Sequence, residues 1–416
     1  MRILLLFLAS CLLQAQSAHL VRAGHVLNVR TGRWLEDQAL VIREGRVEAL
    51  RPWSSAEGVP DLDLSTRWVL PGLIDAHTHL FLQGNADAAA YEAQILKESV
   101  PYRTLRAAAA AKRALAQGFT TLRDLGTEGA GHADSDLKRA LERDLLPGPR
   151  LQVADLAFSA TGAYPVLSPA WELHLPVGVQ TVDGEAEIRR GVREQVRHGA
   201  DWIKVYVDRG QRLGPDGRLR STLNFTAGEL AAFISEAKRQ GRRTAAHAHG
   251  WDGIDAALTA GFDSIEHGSG FDEALLRRAL AQGTAWCPTL AAMAFVAPTR
   301  GGVYAKELPE RLDRAFALGV KLGVKLVNGS DAGAFPWDRP LARELELMAD
   351  RGMSPLQALQ AATIHAAALL GLETEVGSLE PGHRADLVAL DGDPLLDLRR
   401  LRRPHLVLKD GVPVRP

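Results

Sequence analysis

Two pairs of histidines are spaced two residues apart: His77 and His79 in "GLIDAHTHL", and His247 and His249 in "AAHAHG". Lys204 in "DWIKVYV", His267 in "DSIEHG" and Asp331 in "VNGSDAG" are of types that could join them. Side chains two apart on a strand leave the same face, so each pair offers two imidazoles to one centre. Imidazole and carboxylate are ordinary zinc ligands, and a catalytic zinc keeps one position open for water. Each residue alone has a plainer reading. A single histidine at a strand end is more often a hydrogen-bonded structural group, and Asp331 stands among the Asn, Gly and Ser of a turn. Together, at the ends of separate strands, they predict a metal centre in which Asp331 accepts the proton of an activated water and returns it to a leaving group. Lys204 is the odd member, because an ammonium ion beside a metal cation is repelled. Its plain role is an ion pair or a snorkelling side chain. Its chemical role requires reaction with carbon dioxide, giving an anionic carbamate whose two oxygens can bridge two metals.

Such a centre needs elements that bring distant segments together. From residue 73 onward the chain alternates apolar runs with amphipathic ones. "GLIDAHTHL" precedes the Ala-rich "RTLRAAAAAKRALAQG", and "FTTLRDLG" precedes "SDLKRALERD". Six further pairs follow, beginning at "RLQVADLAFS", "DWIKVYV", "RTAAHAHG", "FDSIEHG", "TAWCPTL" and "VKLVNGSDAG". Strands apolar on both faces suit a parallel sheet covered by helices. Eight strand-then-helix units predict an α/β fold of the (β/α)8 TIM-barrel type over residues 73–373, with its chemistry at the C-terminal strand ends. The flanks read differently. "LVRAGHVLNV" and "QALVIREGRVEAL" near the start, and "ADLVALDGDPL" and "PHLVLKDGVPV" near the end, are short β-like runs with Asp-Gly turns. They predict a small β-sandwich domain built from residues 18–72 together with 374–416.

The 416 residues carry 49 basic and 50 acidic side chains, which removes any electrostatic case for nucleic acid or an anionic membrane. "MRILLLFLASCLLQAQSA" has a basic residue, an apolar core and small residues near Ala15 to Ala18. Residues 1–17 therefore read as a signal peptide, too short for a stable membrane span, and place the protein outside the cell or in a periplasm. "LASC" offers an alternative, a lipoprotein anchored at Cys11. Loss of the leader leaves Cys287, which excludes an internal disulfide and reads as a small buried apolar residue.

With these residues in place, the chain resembles the amidohydrolase superfamily, in particular its imidazolonepropionase-like and Xaa-Pro-dipeptidase-like members. The matching text runs from "PGLIDAHTHL" through "GFTTLRDLG", "DWIKVYV", "AAHAHG", "DSIEHG" and "GSDAG" to "VGSLEPGHRADLVALDGDPL". The resemblance implies a barrel with a β-sandwich and two zinc ions. His77 and His79 would hold one ion, His247 and His267 the other, with carboxylated Lys204 bridging and Asp331 binding metal and moving the proton. Spacing leaves His247 and His249 as equal choices; the family pattern favours His247. Tyr206 shares the face of Lys204 and, with His249, is an expected substrate contact. His132, in "GTEGAGHADSD", is a loop residue that could reach the pocket. The chain departs from peptide-cleaving relatives after strand three, where "SATGAYP" puts Ala163 and Tyr164, and after the strand-eight aspartate, where Trp337 and Asp338 stand.

The expected function is zinc-dependent hydrolysis of a small amide or peptide-like C–N bond, of dipeptide or N-acyl amino acid type. The partner is a small molecule, and a homo-oligomer is compatible with all of this. A lactam hydrolase is one alternative. A mononuclear deaminase or imidazolonepropionase-like enzyme is another, although deaminase relatives place Glu where Gly250 stands. A non-catalytic scaffold would lack ligands that this chain retains.

Overall fold

The computed structural model describes residues 19–84, 88–164, 170 and 172–414; the expected leader and Cys11 lie outside them. The described chain opens with four strands: β1 (His19–Asn28), β2 (Arg33–Arg43), β3 (Arg46–Pro52) and β4 (Leu62–Pro71). A two-residue turn, Glu44-Gly45, joins β2 to β3, and both residues take positive φ, of 52° and 74°. That is the requirement of a tight turn whose twist matches its strands.

Parallel strands follow: β5 (Leu73–Thr78), β6 (Phe119–Asp124), β7 (Arg150–Val153), β8 (Phe158–Ser159), β9 (Gln180–Thr181) and β10 (Trp202–Tyr206). A hairpin, β11 (Asp208–Leu213) and β12 (Leu219–Leu223), separates these from β13 (Arg243–Ala248), β14 (Ser264–His267) and β15 (Ala285–Cys287). β5, β6, β14 and β15 are buried along their whole length, because helices cover one side and other strands the other. β6 pairs with both β5 and β7. β10 pairs with β8 and β13, and the ladder continues through β14 to β15. Asp201 N donates to Val153 O at 2.8 Å, linking the start of β10 to β7.

One expected element differs, and one element is new. The segment expected as an eighth strand forms only isolated bridges at Leu326 and Ala332. Val327 N still donates to Trp286 O and Ala76 N to Asn328 O, but side chains take over the neighbouring bonds. Asn328 Nδ2 donates to Ile74 O at 2.9 Å, and Asp75 Oδ1 accepts from Ser330 N at 2.9 Å. These contacts turn the chain early and bring Asp331 inward. The β11–β12 hairpin was not anticipated, since its polar, Gly-rich sequence lacks strand alternation.

The covering helices follow local rules. In helix 100–116, Ala107, Ala110, Ala111 and Ala114 form one buried stripe, which brings the helix close to the sheet. Helix 227–239 starts with a reciprocal cap between Thr226 and Glu229, and helix 273–282 ends at Gly283 in left-handed conformation.

The last strands, β16 (Leu387–Leu390), β17 (Leu406–Lys409) and β18 (Val412–Pro413), return to the beginning. β16 pairs antiparallel with β4, so one seven-stranded sheet, ordered β18-β17-β16-β4-β1-β2-β3, joins the two ends of the described chain. It has its own apolar cluster, including Val21, Val26, Leu40, Val69 and Leu387. Arg150, at the start of β7, ties this sheet to the parallel strands: its guanidinium reaches Asp386 and Asp410, each at 2.9 Å. Asp386 is buried, so removing the cation leaves a carboxylate without its partner. Arg150→Ala is expected to lower stability by about 1–3 kcal/mol, as a shift of the urea midpoint.

Candidate functional site

A cavity of about 1040 Å³ opens where the parallel strands end. His77, His79, Lys204, Tyr206, His247, His249, His267 and Asp331 all line it. The strand period does the positioning: His77 lies in β5 and His79 just beyond it, His247 in β13 and His249 just beyond it. His267 is the last residue of β14, and Lys204 lies within β10.

Ligand atoms of His77, His79 and Asp331 lie within 4.8 Å of one another, and so do those of His247, His249 and His267. Asp331 Oδ1 is 3.7 Å from His77 Nε2 and 3.4 Å from His79 Nε2. The rings of His77 and His267, 5.2 Å apart, join the two groups. Four of the five rings use Nδ1 within the protein. His77 Nδ1 donates to Glu266 Oε2 at 2.8 Å and His79 Nδ1 to Gly126 O at 2.9 Å. Nδ1 of His249 meets Ser269 Oγ at 3.1 Å, and that of His267 meets Thr289 Oγ1 at 2.8 Å. A proton held at Nδ1 leaves Nε2 with a lone pair, the form in which histidine binds metal.

Glu266 is itself held. Arg123 Nη2 donates to its other oxygen at 2.9 Å, and both side chains are fully buried. Arg123 also donates to Ala76 O and Ser264 Oγ, and it lies over the Trp202 ring at 4.3 Å. Close approach explains the glycines around Asp331. A Cβ on Gly329 would collide with Cys287 Sγ and His77, and one on Gly333 with the His79 carbonyl.

Burial sets the charges. It pushes His77 down to about 3, helped by Lys204, and His249 to about 3, helped by Arg300. His247 and His267 fall well below the usual histidine range for the same reason. Lys204 is lowered to about 8 by burial, against the opposing charges of Glu266 and Asp331. Burial raises Asp331 to about 6, against His79 and Lys204. Burial would also raise Glu266, but Arg123 and then His77 outweigh it and hold that carboxyl well below its ordinary range.

Two atoms test whether metal suits this site. Lys204 Nζ and His77 Nε2 are buried without a hydrogen-bond partner, although buried polar groups are normally paired. Neutral imidazoles, a carboxylate and an unsatisfied amine converging on one space fit a metal centre.

Sequence reasoning missed part of the cavity wall. Glu128 accepts from Tyr206 at 3.1 Å, from Tyr91 at 2.6 Å and from Tyr164. The loop after β6 thus reaches the cavity through Glu128. His132, the residue singled out in that stretch, pairs with Asp155 and stacks on His198, outside the lining. "SATGAYP" had signalled a departure at Tyr164 without showing its partner. Trp337 is buried and donates to Leu82 O at 3.0 Å, so it supports the mouth from behind. Arg300, at the exposed rim, stacks on Tyr304 at 5.2 Å.

Residues 68–414 match the model of the amidohydrolase family. Ochratoxinase of Aspergillus niger is 30% identical over 382 residues, covering 86% of this chain and 76% of that protein. Imidazolonepropionase of Deinococcus radiodurans is 27% identical over 380 residues, 86% of each. A solved Xaa-Pro dipeptidase with methionine bound in its active site superposes with a TM-score of 0.84 at 30% identity, over 95% of this chain and 99% of the other.

The contact between Glu266 and His77 can be tested directly. Glu266→Gln keeps the shape but weakens the hold on Nδ1. Divalent-metal affinity, measured by competition with a chromogenic chelator, is expected to fall about 10–100-fold.

Proposed function

The chain belongs to the amidohydrolase family and hydrolyses carbon–nitrogen bonds, and from that premise we propose that it cleaves a small amide of dipeptide or N-acyl amino acid type with two zinc ions. The observation that carries this reading is the pair of ligand groups around the unsatisfied amine of Lys204. His77 and His79 would hold one ion and His247 and His267 the other, with Asp331 also a ligand. Bound zinc would lower the pKa of water and polarise the scissile carbonyl.

Lys204 reacts first with carbon dioxide. Its free amine would form a new C–N bond to the carbon and release one proton to solvent, and the carbamate would supply an anionic ligand where the amine cannot. Asp331, 3.4 and 3.7 Å from two imidazole nitrogens, takes the proton of the attacking water. It then returns that proton to the departing nitrogen. His249, stacked on His267 at 4.6 Å, and Tyr206 serve as substrate contacts. Arg300 offers a guanidinium at the rim for a substrate carboxylate.

The cavity volume and the likeness to a dipeptidase support an occupant of dipeptide size. A deaminase-type glutamate at position 250 has no room, since even a Cβ there would collide with Ser221. We read the parallel strands as the (β/α)8 barrel of residues 73–373. The terminal sheet is then the β-sandwich domain of 18–72 and 374–416, and residues 1–17 direct export.

Chelation is expected to abolish turnover and zinc to restore it, with two equivalents bound per chain. One equivalent in fully active enzyme would overturn the bridging lysine. His77→Ala and Asp331→Asn are each expected to lower kcat by at least about 10³-fold while far-UV circular dichroism stays unchanged. Wild-type rates in either variant would refute the site.

A further inference from the structure

Apart from Tyr206, one wall of the cavity is used by none of the steps above. Tyr91, from helix 88–97, Tyr164, from the loop after β8, and Tyr206, the last residue of β10, converge on the Glu128 carboxylate. Tyr91 and Tyr164 meet Oε2, Tyr206 meets Oε1, and the hydroxyls of Tyr91 and Tyr164 also touch each other. All four residues line the cavity.

The chemistry of this wall is one-sided. A phenol has one proton and two lone pairs, whereas an ionised carboxylate only accepts. Each hydroxyl that gives its proton to Glu128 turns lone pairs toward the cavity. Burial and the Glu128 charge push the Tyr91 and Tyr164 phenols well above their usual range, which keeps those protons in place. The wall therefore accepts hydrogen bonds, offers none, and carries a negative charge just behind its surface.

Among the described residues, no direct salt bridge to Lys or Arg closes off that charge. Buried carboxylates are normally paired. Arg103 passes nearby but gives its donors to the main-chain oxygens of Phe81, Thr127 and Glu128. His79 Nδ1, 3.9 Å from Oε1, directs its proton to Gly126 O. The backbone also makes way for the cluster: a Cβ on Gly178 would come within 2.6 Å of the Tyr91 hydroxyl and 3.1 Å of Glu128 Oε2.

We propose that this wall receives the protonated amino group of the substrate, so that the enzyme takes dipeptides with a free amino end in preference to N-acyl amino acids of the same shape. The inference deepens the hydrolase reading and takes from it only that the occupant is a small amide. The carboxyl end of such a zwitterion would face Arg300, and the scissile amide would lie between the two ends.

Alanyl-leucine and propionyl-leucine differ only in the ammonium group and serve as probes. Binding is measured by calorimetry on the zinc-loaded Asp331→Asn protein, which holds ligand without turning it over, and hydrolysis on the wild type. Alanyl-leucine is expected to bind at least about 10-fold tighter, as befits a hydrogen-bonded charge. Adding Glu128→Gln is expected to erase that preference while leaving propionyl-leucine within about 3-fold, because the amide donates to a phenol and turns a phenol proton toward the cavity. Tyr91→Phe, which keeps the carboxylate, is expected to reduce the preference without abolishing it. Equal affinities, no binding of either probe, or equal losses for both in Glu128→Gln would overturn the proposal. Hydrolysis of both probes at equal rates would sink this wall and leave the hydrolase reading intact. Selective binding without hydrolysis of either would do the reverse.

Discussion

The pairing of Arg123 with Glu266, two charges with no exposure to solvent, is the contact on which the rest of the site depends. Either charge buried there without the other would cost several kcal/mol. Together they reach across the strands. Arg123 comes from β6, donates to the β5 backbone and stacks on Trp202 of β10; Glu266 comes from β14 and holds His77. One ion pair thus couples the packing of four strands to the orientation of the first imidazole. Cohesion and chemistry share the same atoms.

The surrounding imidazoles follow the same logic with weaker partners. Carbonyl and hydroxyl groups fix Nδ1 in His79, His249 and His267, while burial keeps the His249 and His267 rings neutral. Neutral rings can crowd together where imidazolium ions would repel. His249 and His267 accordingly stack at 4.6 Å with 12° between their planes. Four of the lining or supporting residues, Glu128, His267, Thr289 and Asp331, take positive φ without being glycine. Such conformations cost of order 1–3 kcal/mol each and persist where the surrounding structure over-determines them. Their concentration here shows how much of the packing serves to aim side chains.

Much of this was legible in the sequence, because periodicity carries information about direction. "HTH" and "HAH" place two rings on one face whatever the rest of the chain does, and all eight residues expected at the site line the cavity. The tyrosine wall was illegible for the converse reason. Tyr91, Glu128 and Tyr164 come from a helix and two loops, where no period relates side-chain direction to spacing. Glu266 stood in a quoted motif, but its role depends on a partner 143 residues away on β6. The bend at Asn328 escaped notice because side chains replaced the ladder bonds that a strand reading assumes.

The terminal sheet has a consequence for biosynthesis. β4 ends at Pro71 and its neighbour β16 begins at Leu387, so one edge of β4 has no partner until all the parallel strands have been made. At about 5–20 residues per second, a ribosome needs on the order of half a minute to cover that interval. Throughout it, β1 to β4 present an open edge of the kind that recruits other chains. Nascent protein is thus most exposed to aggregation at its beginning, and a chaperone that shields extended segments would matter most there. A nonsense mutation or proteolytic nick just before Leu387 would leave the parallel strands complete and return that edge to solvent.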